Sequence, residues 1–447
     1  VRIVHVSDCY LPRLGGIELQ VHDLARRQAE AGHDVTIVTS TAGPPPDLAV
    51  QTAPSAARQG TSIEVGRAIE VGRAIEVGGA IEVMRAPGPR HAPEKIVYRS
   101  TRRGVRDLTR TLDHHDLVHV HASSFSPFAF LAAHHASGRG VPTVATVHSL
   151  WAKATPLFRA ADVLTGWGSW NVVWSAVSNA AAVSLRRVVA DRAPVTILPN
   201  GVDPGEWAVE PDHRSAGVLR IAAVSRLARR KRLLHLIEIL HAVHDQLPAG
   251  LSLQVEVLGE GPQRSEIERY LRRHGLEGWL RLQGRRSRSE IREVFARSDL
   301  FVAPASLESF GIAALEARCA GLPVVALAGT GVQDFVAHGQ EGWLVRSDRA
   351  MVETILSLAR SPEVLEHVAR HNRTVPASIS WAGVLAECEG LYQRAAAMHG
   401  RRWEPATSAG MGSTVGAGRA ATVEGAAEAR SAEARSSEGN QRVVSDR

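Results

Sequence analysis

Short apolar runs recur along this chain, each closed by a glycine-, proline- or polar-rich loop and followed by a stretch of helical periodicity. Val1–Ser7 is the first run, and the loop Tyr10-Leu11-Pro12-Arg13-Leu14-Gly15-Gly16 ends it. Ile17, Val21, Leu24 and Ala31 then fall at helical spacing, and Gly32 stops that helix before Val35–Val38 opens the next strand. A strand, a crossover helix and a second apolar strand form the unit of a parallel sheet covered on both faces. The first series continues with strands at Leu117–Val120, Thr143–Val147, Ala176-Val177 and Thr196–Leu198. A second series starts near Leu219, with Arg220–Val224, a helix from Leu233 to Leu240, and strands at Leu253–Leu258, Leu280–Leu282, Leu300–Ala303 and Val324–Ala326. The pattern predicts an α/β protein of two Rossmann-like, doubly wound domains, 1–204 and 205–375, with a hinge near Pro199–Glu206. At 447 residues the chain is too long for one ordinary core, which agrees with that division.

Two segments stand apart. Ile-Glu-Val-Gly-Arg-Ala occurs at 63 and 69, with variants at 75 and 81, so 63–86 is a hexad repeat. Four copies are too few for a stacked β-helix. We read Ile81–Met84 as one edge strand and the earlier copies as an extruded loop. From 404 to 447 the chain is rich in Ala, Gly, Ser, Glu and Arg and almost without large apolar residues, which predicts a disordered tail.

Composition narrows the class. Hydrophobic content of 44% and charged content of 22% are those of a globular protein, and no apolar run reaches the roughly 18 to 20 residues of a membrane span. The first residues read as a core strand rather than a signal peptide, because polar Ser7-Asp8 follow at once. A cytoplasmic location is therefore expected, with peripheral attachment at the inner face of the membrane as its variant. Cys9, Cys319 and Cys388 form no metal-spaced pair or disulfide framework and read as buried thiols. The net charge of +6 rests on arginine, since lysine occurs only at 95, 153 and 231. No nucleic-acid module accompanies it, so nucleic acid is not an expected partner.

The chemistry-bearing residues gather at the carboxyl ends of the strands, where open α/β sheets bind ligands. Gly15 and Gly16 follow the first strand and precede a helix, so they either let backbone approach an anion or form a plain tight turn. His121 follows the strand Leu117–Val120, and His148 follows the strand Thr143–Val147. His119 is read as turned to the opposite face, with a structural role. Arg226 and Lys231 follow the strand that opens the second half and suit a diphosphate; Arg229, Arg230 and Arg232 read as surface. Gly259 and Gly261 end another strand, as a simple turn or as a close approach to a nucleobase or ribose. Glu308 and Glu316 stand eight positions apart around Ser309, Phe310 and Gly311, where a strand passes into a helix. A carboxylate at a helix mouth, free N–H groups beside it and a second carboxylate inside the helix suit a ligand with hydroxyls at both ends and an anion between. No Asp-x-Asp pair occurs, so any leaving diphosphate would be neutralised by Arg226, Lys231 and helix N-termini, with no metal or other cofactor.

Eight pieces in order resemble family 4 of the retaining GT-B glycosyltransferases, the glycogen-synthase-like and phosphatidylinositol-mannosyltransferase-like superfamily. They are Pro12–Glu18, Val118–His121, Thr146–His148, Leu198–Asp203, Ser225–Leu227 with Lys231, Gly259–Pro262, Glu308–Gly311 with Glu316, and Ala320–Val325. The resemblance runs from Val1 to about Arg394. It implies a GT-B architecture whose two domains face a central cleft, the first taking the acceptor and the second the nucleotide-sugar donor. It also implies a C-terminal helix within 376–400 that crosses back to the first domain, with Trp381, Val384, Leu385 and Leu391 on one face.

By the same resemblance Glu308 faces the donor sugar's hydroxyls, and N–H groups around Phe310 and Gly311 reach sugar and phosphate. Glu316 holds the ribose, about 7.5 Å along the helix from Gly311. Arg226 and Lys231 clamp the diphosphate, Gly16 approaches it, and His121 orients the sugar. Retention is then expected without an enzymic nucleophile, the donor phosphate helping to deprotonate the acceptor. The chain departs from the family in its enlarged 63–80 loop and in carrying its acidic residue after the second-domain glycine turn as Asp334.

The function expected is transfer of a hexose, mannose or glucose in type, from a UDP- or GDP-sugar to a glycolipid or small-molecule acceptor. A sugar-nucleotide epimerase or hydrolase of the same fold, and a non-catalytic sugar-nucleotide binding protein, are the alternatives. Arg99, Arg102, Arg103, Arg106 and Arg110, with Val105, Leu108 and Leu112 as an apolar stripe, form either a solvated amphipathic helix or a dock for an anionic membrane.

Overall fold

The computed structural model of the chain describes residues 1–13, 15–41, 73–74, 81–85, 102–151, 154–189, 192–212 and 217–403. The tail at 404–447, Arg99, and most of the hexad repeat lie outside these residues.

Strands β1 (Arg2–Ser7), β2 (Asp34–Thr39), β3 (Arg73–Ala74), β4 (Ile81–Arg85), β5 (Leu117–Ala122), β6 (Thr143–Val147), β7 (Val173–Ala176) and β8 (Val195–Ile197) form one sheet in the order β3-β4-β2-β1-β5-β6-β7-β8. All its pairs are parallel except β3 with β4. A second, parallel sheet has the order β11-β10-β9-β12-β13-β14, built from β9 (Val218–Val224), β10 (Ser252–Leu258), β11 (Leu280–Gly284), β12 (Leu300–Ala303), β13 (Val324–Leu327) and β14 (Gly342–Val345). The helices are α1 (Gly16–Glu30), α2 (Arg102–Asp113), α3 (Pro127–Gly138), α4 (Thr155–Thr165), α5 (Asn179–Val189), α6 (Pro204–Trp207), α7 (Leu233–Asp245), α8 (Arg264–His274), α9 (Arg288–Ala296), α10 (Ile312–Cys319), α11 (Asp348–Arg360), α12 (Pro362–Thr374) and α13 (Trp381–Met398).

Each sheet reverses its strand order once. In the first the reversal lies between β1 and β5, in the second between β9 and β12. Loops leave such neighbouring strands in opposite directions, which opens a crevice at their carboxyl ends. The candidate residues Gly15, Gly16, Arg226, Lys231 and Glu308 each follow one of these four strands, and His121 is the next-to-last residue of β5.

Helix α13 returns to the first sheet. Trp381, Val384, Cys388 and Leu391 are buried with Ile3, Leu24, Leu117 and Val144, and Leu385 packs at the edge of that cluster. Gly201 in the hinge is pressed against Trp381 so closely that a Cβ there would lie 2.3 Å from the indole. The Gln20 carboxamide bonds both the N–H and the carbonyl of Gly201, at 2.9 and 3.0 Å. The connection between the sheets is thus seated on α1 and α13 together.

Several expectations shift. The run at Ala176-Val177 sits upstream as β7, because its ladder to β6 starts at Val173 opposite Val144. The earlier repeat copies are not wholly extruded: Arg73 and Ala74 pair antiparallel with Met84 and Val83. On α2, Leu108 and Leu112 are in the core, while Arg106 and Arg110 face solvent. The apolar stripe is therefore spent on folding, and this helix offers a membrane only charge. Cys9, Cys319 and Cys388 are buried, and desolvation pushes their thiols up to about 11, 12 and 12. Among the described residues no helix is long and apolar enough to cross a membrane.

Candidate active site at two facing switch points

The second switch point is a clasp of two loops. The chain leaves β9 at Val224, makes a tight turn at Arg229–Lys231 and enters α7 through Arg232, whose φ of 58° is the left-handed conformation. That geometry aims Lys231 at the loop after β12, where its Nζ lies 2.5 Å from Glu308 Oε2. The side chain of Arg232 reaches the Pro304 carbonyl at 3.0 Å and Asp348 at 2.6 Å. Arg229 and Arg230 are exposed, as the sequence indicated, but Arg232 is a tie between the two loops that carry the site. A non-glycine residue at positive φ needs surrounding contacts to hold it, and these two provide them.

The glycines of this half are packing devices. A Cβ on Gly259, at φ 135°, would lie 1.9 Å from the Ser225 carbonyl oxygen, and one on Gly261 would lie 2.4 Å from that of Leu227. Leu227 also donates its N–H to the Glu260 carbonyl at 2.9 Å. Gly259 and Gly261 therefore close on the backbone of the Arg226 loop itself; the expected approach to a nucleobase is not what their missing side chains make room for. Gly311 has φ 94°, and a Cβ there would meet Val332 at 2.7 Å. Phe310 is fully buried against Phe335, so it offers a ligand only its backbone. Glu316, on α10, is pushed up to about 8, chiefly by desolvation; Arg288 counters this and Asp23 adds to it.

The first switch point meets the second directly. Gly16 opens α1, and a Cβ on it would lie 3.1 Å from Ile312 Cδ1, the first residue of α10. Two helix N-termini, each with unsatisfied N–H groups and partial positive charge, are thus brought to one place. Gly15 lies under the Glu18 carboxylate, which pairs with Arg13 at 3.2 Å. Further ties join the halves: Arg288 to Asp23 at 2.6 Å, the Ser178 hydroxyl to the Ser309 carbonyl, and the Asn179 N–H to Asp334 at 2.7 Å. Asp8, after β1, caps α3 through the N–H groups of Phe128 and Ala129 at 3.1 and 3.0 Å. Burial pushes its carboxyl up to about 6 against those bonds.

Four histidines fill the space beneath. His121 is bonded on both nitrogens, Nε2 to His5 Nδ1 at 2.9 Å and Nδ1 to His148 Nε2 at 3.0 Å. His119 does not turn away: residues two apart on a strand share a face, and the two rings stack with centroids 4.3 Å apart. His119 bonds the Tyr392 hydroxyl and Thr146 Oγ1, at 2.9 and 2.7 Å. His5, His119 and His121 bring one nitrogen each within 4.8 Å of one another, close enough to share a metal ion. Their nitrogens already carry hydrogen-bond partners, however, so the cluster fits a bonded network better than a coordination sphere. His5, Gln28 and Tyr392 were missed from sequence; a histidine inside the apolar run Ile3–Val6 was the available signal.

The sequence matches a Glycosyltransferase Family 4 model over residues 14–206 and a Glycosyl transferases group 1 model over 212–375. It is 26% identical over 339 residues to one subunit of the human phosphatidylinositol N-acetylglucosaminyltransferase, covering 72% of this chain and 61% of that protein. It is 26% identical over 420 residues to the Mycobacterium tuberculosis glycogen synthase, covering 88% of this chain and 94% of that one. Among solved structures, Anabaena HepE in complex with UDP and glucose superposes with a TM-score of 0.65 at 18% identity, over 87% of this chain and 98% of that one. With two parallel sheets, their switch points facing each other, and a family model on each half, the chain belongs to family 4 of the GT-B glycosyltransferases.

Proposed function

We propose that the protein transfers a hexosyl group from a UDP- or GDP-sugar to an acceptor hydroxyl, with retention and without a metal ion. The observation that carries this reading is the meeting of the α1 and α10 N-termini at Gly16 and Ile312, beside the loops that hold Arg226, Lys231 and Glu308. A diphosphate placed there receives backbone N–H groups from both halves and two cationic side chains from one. Lys231 then moves from Glu308 to phosphate, and Glu308 accepts from the sugar's hydroxyls. Glu316 accepts from the ribose. As the bond from the anomeric carbon to the leaving phosphate breaks, the acceptor oxygen bonds to that carbon on the same face, and its proton passes to a phosphate oxygen. Arg226, Lys231 and the helix ends offset the charge left on the diphosphate.

We assign the first half to the acceptor and favour an acceptor with a lipid tail, reached from the cytoplasmic membrane surface. Leu157, Val163 and Leu164 on α4 of that half are 71, 84 and 86% exposed. Leu157 and Leu164 lie two turns apart on one face, a pattern suited to the interfacial layer of a bilayer. The human relative is also named for phosphatidylinositol, a lipid.

Thermal-shift screening of the full chain against UDP-, GDP- and ADP-sugars, with and without EDTA, tests the donor. Stabilisation by one nucleotide class, unchanged by EDTA, is expected; stabilisation by none, or only with a divalent ion, overturns the reading.

A further inference from the structure

The buried histidines form a chain with a direction. Gln28 Nε2 donates to the Tyr392 hydroxyl at 2.7 Å, which turns Gln28 Oε1 toward His5 Nε2 at 2.6 Å. A carboxamide oxygen only accepts, so His5 carries its hydrogen on Nε2. A neutral imidazole has one donor and one acceptor nitrogen. His5 Nδ1 must therefore accept from His121 Nε2, and His121 Nδ1 from His148 Nε2. The chain ends at His148 Nδ1, a buried lone pair without a hydrogen-bond partner, on a residue 8% exposed. Neutrality is secured by burial, which lowers His5 and His148 to about 4 and His121 well below its ordinary value. His148 lines a cavity of ≈ 20 Å³ beside the hinge, with Gln20, His121, Asn200 and Trp381. That is room for one water-sized group.

We propose that Gln28 and Tyr392, acting through His5 and His121, are positioning residues that fix His148 as a hydrogen-bond acceptor for one hydroxyl of a bound substrate. This rests on the transferase reading for the identity of the ligand, but not for the direction of the chain. An sp² lone pair in a desolvated socket takes a hydroxyl and rejects a carbonyl or an anionic oxygen, which have no hydrogen to give. Of the histidines, the one that meets substrate is then His148, and His121 acts behind it. The C-terminal helix meets the histidine chain at both ends, with Trp381 lining the socket and Tyr392 holding Gln28.

Ring nitrogen-15 shifts of the full chain at pH 7.5 without substrate, assigned with single His→Gln variants, test the direction. All of His5, His121 and His148 are expected as the Nε2–H tautomer. An Nδ1–H tautomer at His148, or a charged ring there, overturns the proposal whether or not the protein transfers sugar. Gln28→Leu is expected to populate Nδ1–H at His148 and to raise one KM at least about fivefold with kcat less affected. A raised donor KM places the hydroxyl on the sugar, and a raised acceptor KM places it on the acceptor. Gln28→Glu, whose carboxylate also accepts from His5, is expected to restore the wild-type tautomer. If Gln28→Leu lowers Tm and activity while His148 keeps Nε2–H, Gln28 is merely structural and the proposal fails. If the tautomers are as expected and no nucleotide sugar binds, the transferase reading fails and the relay stands.

Discussion

The two switch points occupy equivalent places in equivalent sheets, yet they are electrostatic opposites. After β9 and β12 the side chains are charged and paired, Lys231 with Glu308 and Arg232 with Asp348, on loops locked by glycines pressed against backbone. Within β1 and β5, and just after β6, they are histidines kept neutral by burial and joined nitrogen to nitrogen. A charged clasp can exchange its internal partner for a diphosphate and sugar hydroxyls without leaving a buried charge unpaired. A neutral network cannot offset a diphosphate, but it can read the position of one hydroxyl. The asymmetry therefore assigns charge to the second half and fine orientation to the first.

The sharpest way to break this division is Glu308→Gln. It keeps the shape and one acceptor oxygen but removes the charge, and Lys231 remains for phosphate. Transfer is expected to fall about 100-fold, the scale of one lost charge-assisted contact in the transition state. Nucleoside diphosphate affinity, read by calorimetry, should stay within about threefold. An equal loss in both would place Glu308 among the diphosphate contacts and dissolve the distinction drawn between it and Lys231.

A second test asks whether the glycines of the charged half are structural, as their packing indicates. Gly259→Ala puts a Cβ 1.9 Å from the Ser225 carbonyl at φ 135°, so the Arg226 loop must move. We expect a loss of about 2–4 kcal/mol in unfolding free energy by urea titration. The matched control is Gly140→Ala in the first half, at φ 73° with nothing within 4 Å, where only the backbone conformation is penalised, by about 1 kcal/mol. Equal costs would mean that the loop has slack and that Gly259 is free to serve a ligand.

The histidine half and the glutamate half should also respond to pH in opposite directions. His5 and His148 have folded values near 4, below the ordinary 6.5. Their contribution to stability is full above about pH 6.5 and is lost as pH falls toward 4, by at most a few kcal/mol. Asp8, raised to about 6, works against this between pH 4 and 6 and offsets part of it. Glu316, raised to about 8, favours its protonated form in the folded chain, so its contribution is full below about pH 4.5 and is lost as pH rises to 8. Hydrogen exchange on the unliganded protein should show β1, β5 and β6 losing protection at pH 5 relative to 7, and α10 losing it at pH 8.5. Glu316→Gln should abolish only the alkaline change. Uniform loss at both ends would mean that neither half titrates locally.

Most of the fold was legible because apolar runs and glycine stops are local. β9, β10, β12 and β13 lie within two residues of the positions read from sequence. β14 was not found, since a glycine opens it and only Trp343, Leu344 and Val345 follow before Arg346, too short an apolar run to separate from a loop. Candidate-site positions were legible where a motif marks the carboxyl end of a strand, as with His121, Arg226 and Glu308, which the structure places at the switch points. Arg232 was not, because its role depends on a left-handed backbone and on Asp348, 116 positions away. Gln28 and Tyr392 were invisible for the same reason: the bond between them joins residues 364 positions apart. The placing of His119 failed on a simpler count, because alternation along a strand puts 119 and 121 on the same side.

The smallest expected effect probes the seam where the two halves meet. A Cβ at Gly16 would lie 3.1 Å from Ile312 Cδ1, the tip of a flexible side chain, so a few tenths of an ångström of movement relieves it. Alanine also suits a helix better than glycine, by up to about 1 kcal/mol. Gly16→Ala is therefore expected to leave stability within about 0.5 kcal/mol of wild type. If a diphosphate approaches the α1 N-terminus, the same methyl group stands in its way, and affinity should fall about three- to tenfold, up to about 1.4 kcal/mol. Adding Ile312→Val separates the two causes, because it gives back the space between the helices but not the space for phosphate. Affinity that stays low in the double variant marks Gly16 as a ligand contact. Affinity that recovers means the glycine serves only to let α1 and α10 come together, and the anion is then held by the charged half alone.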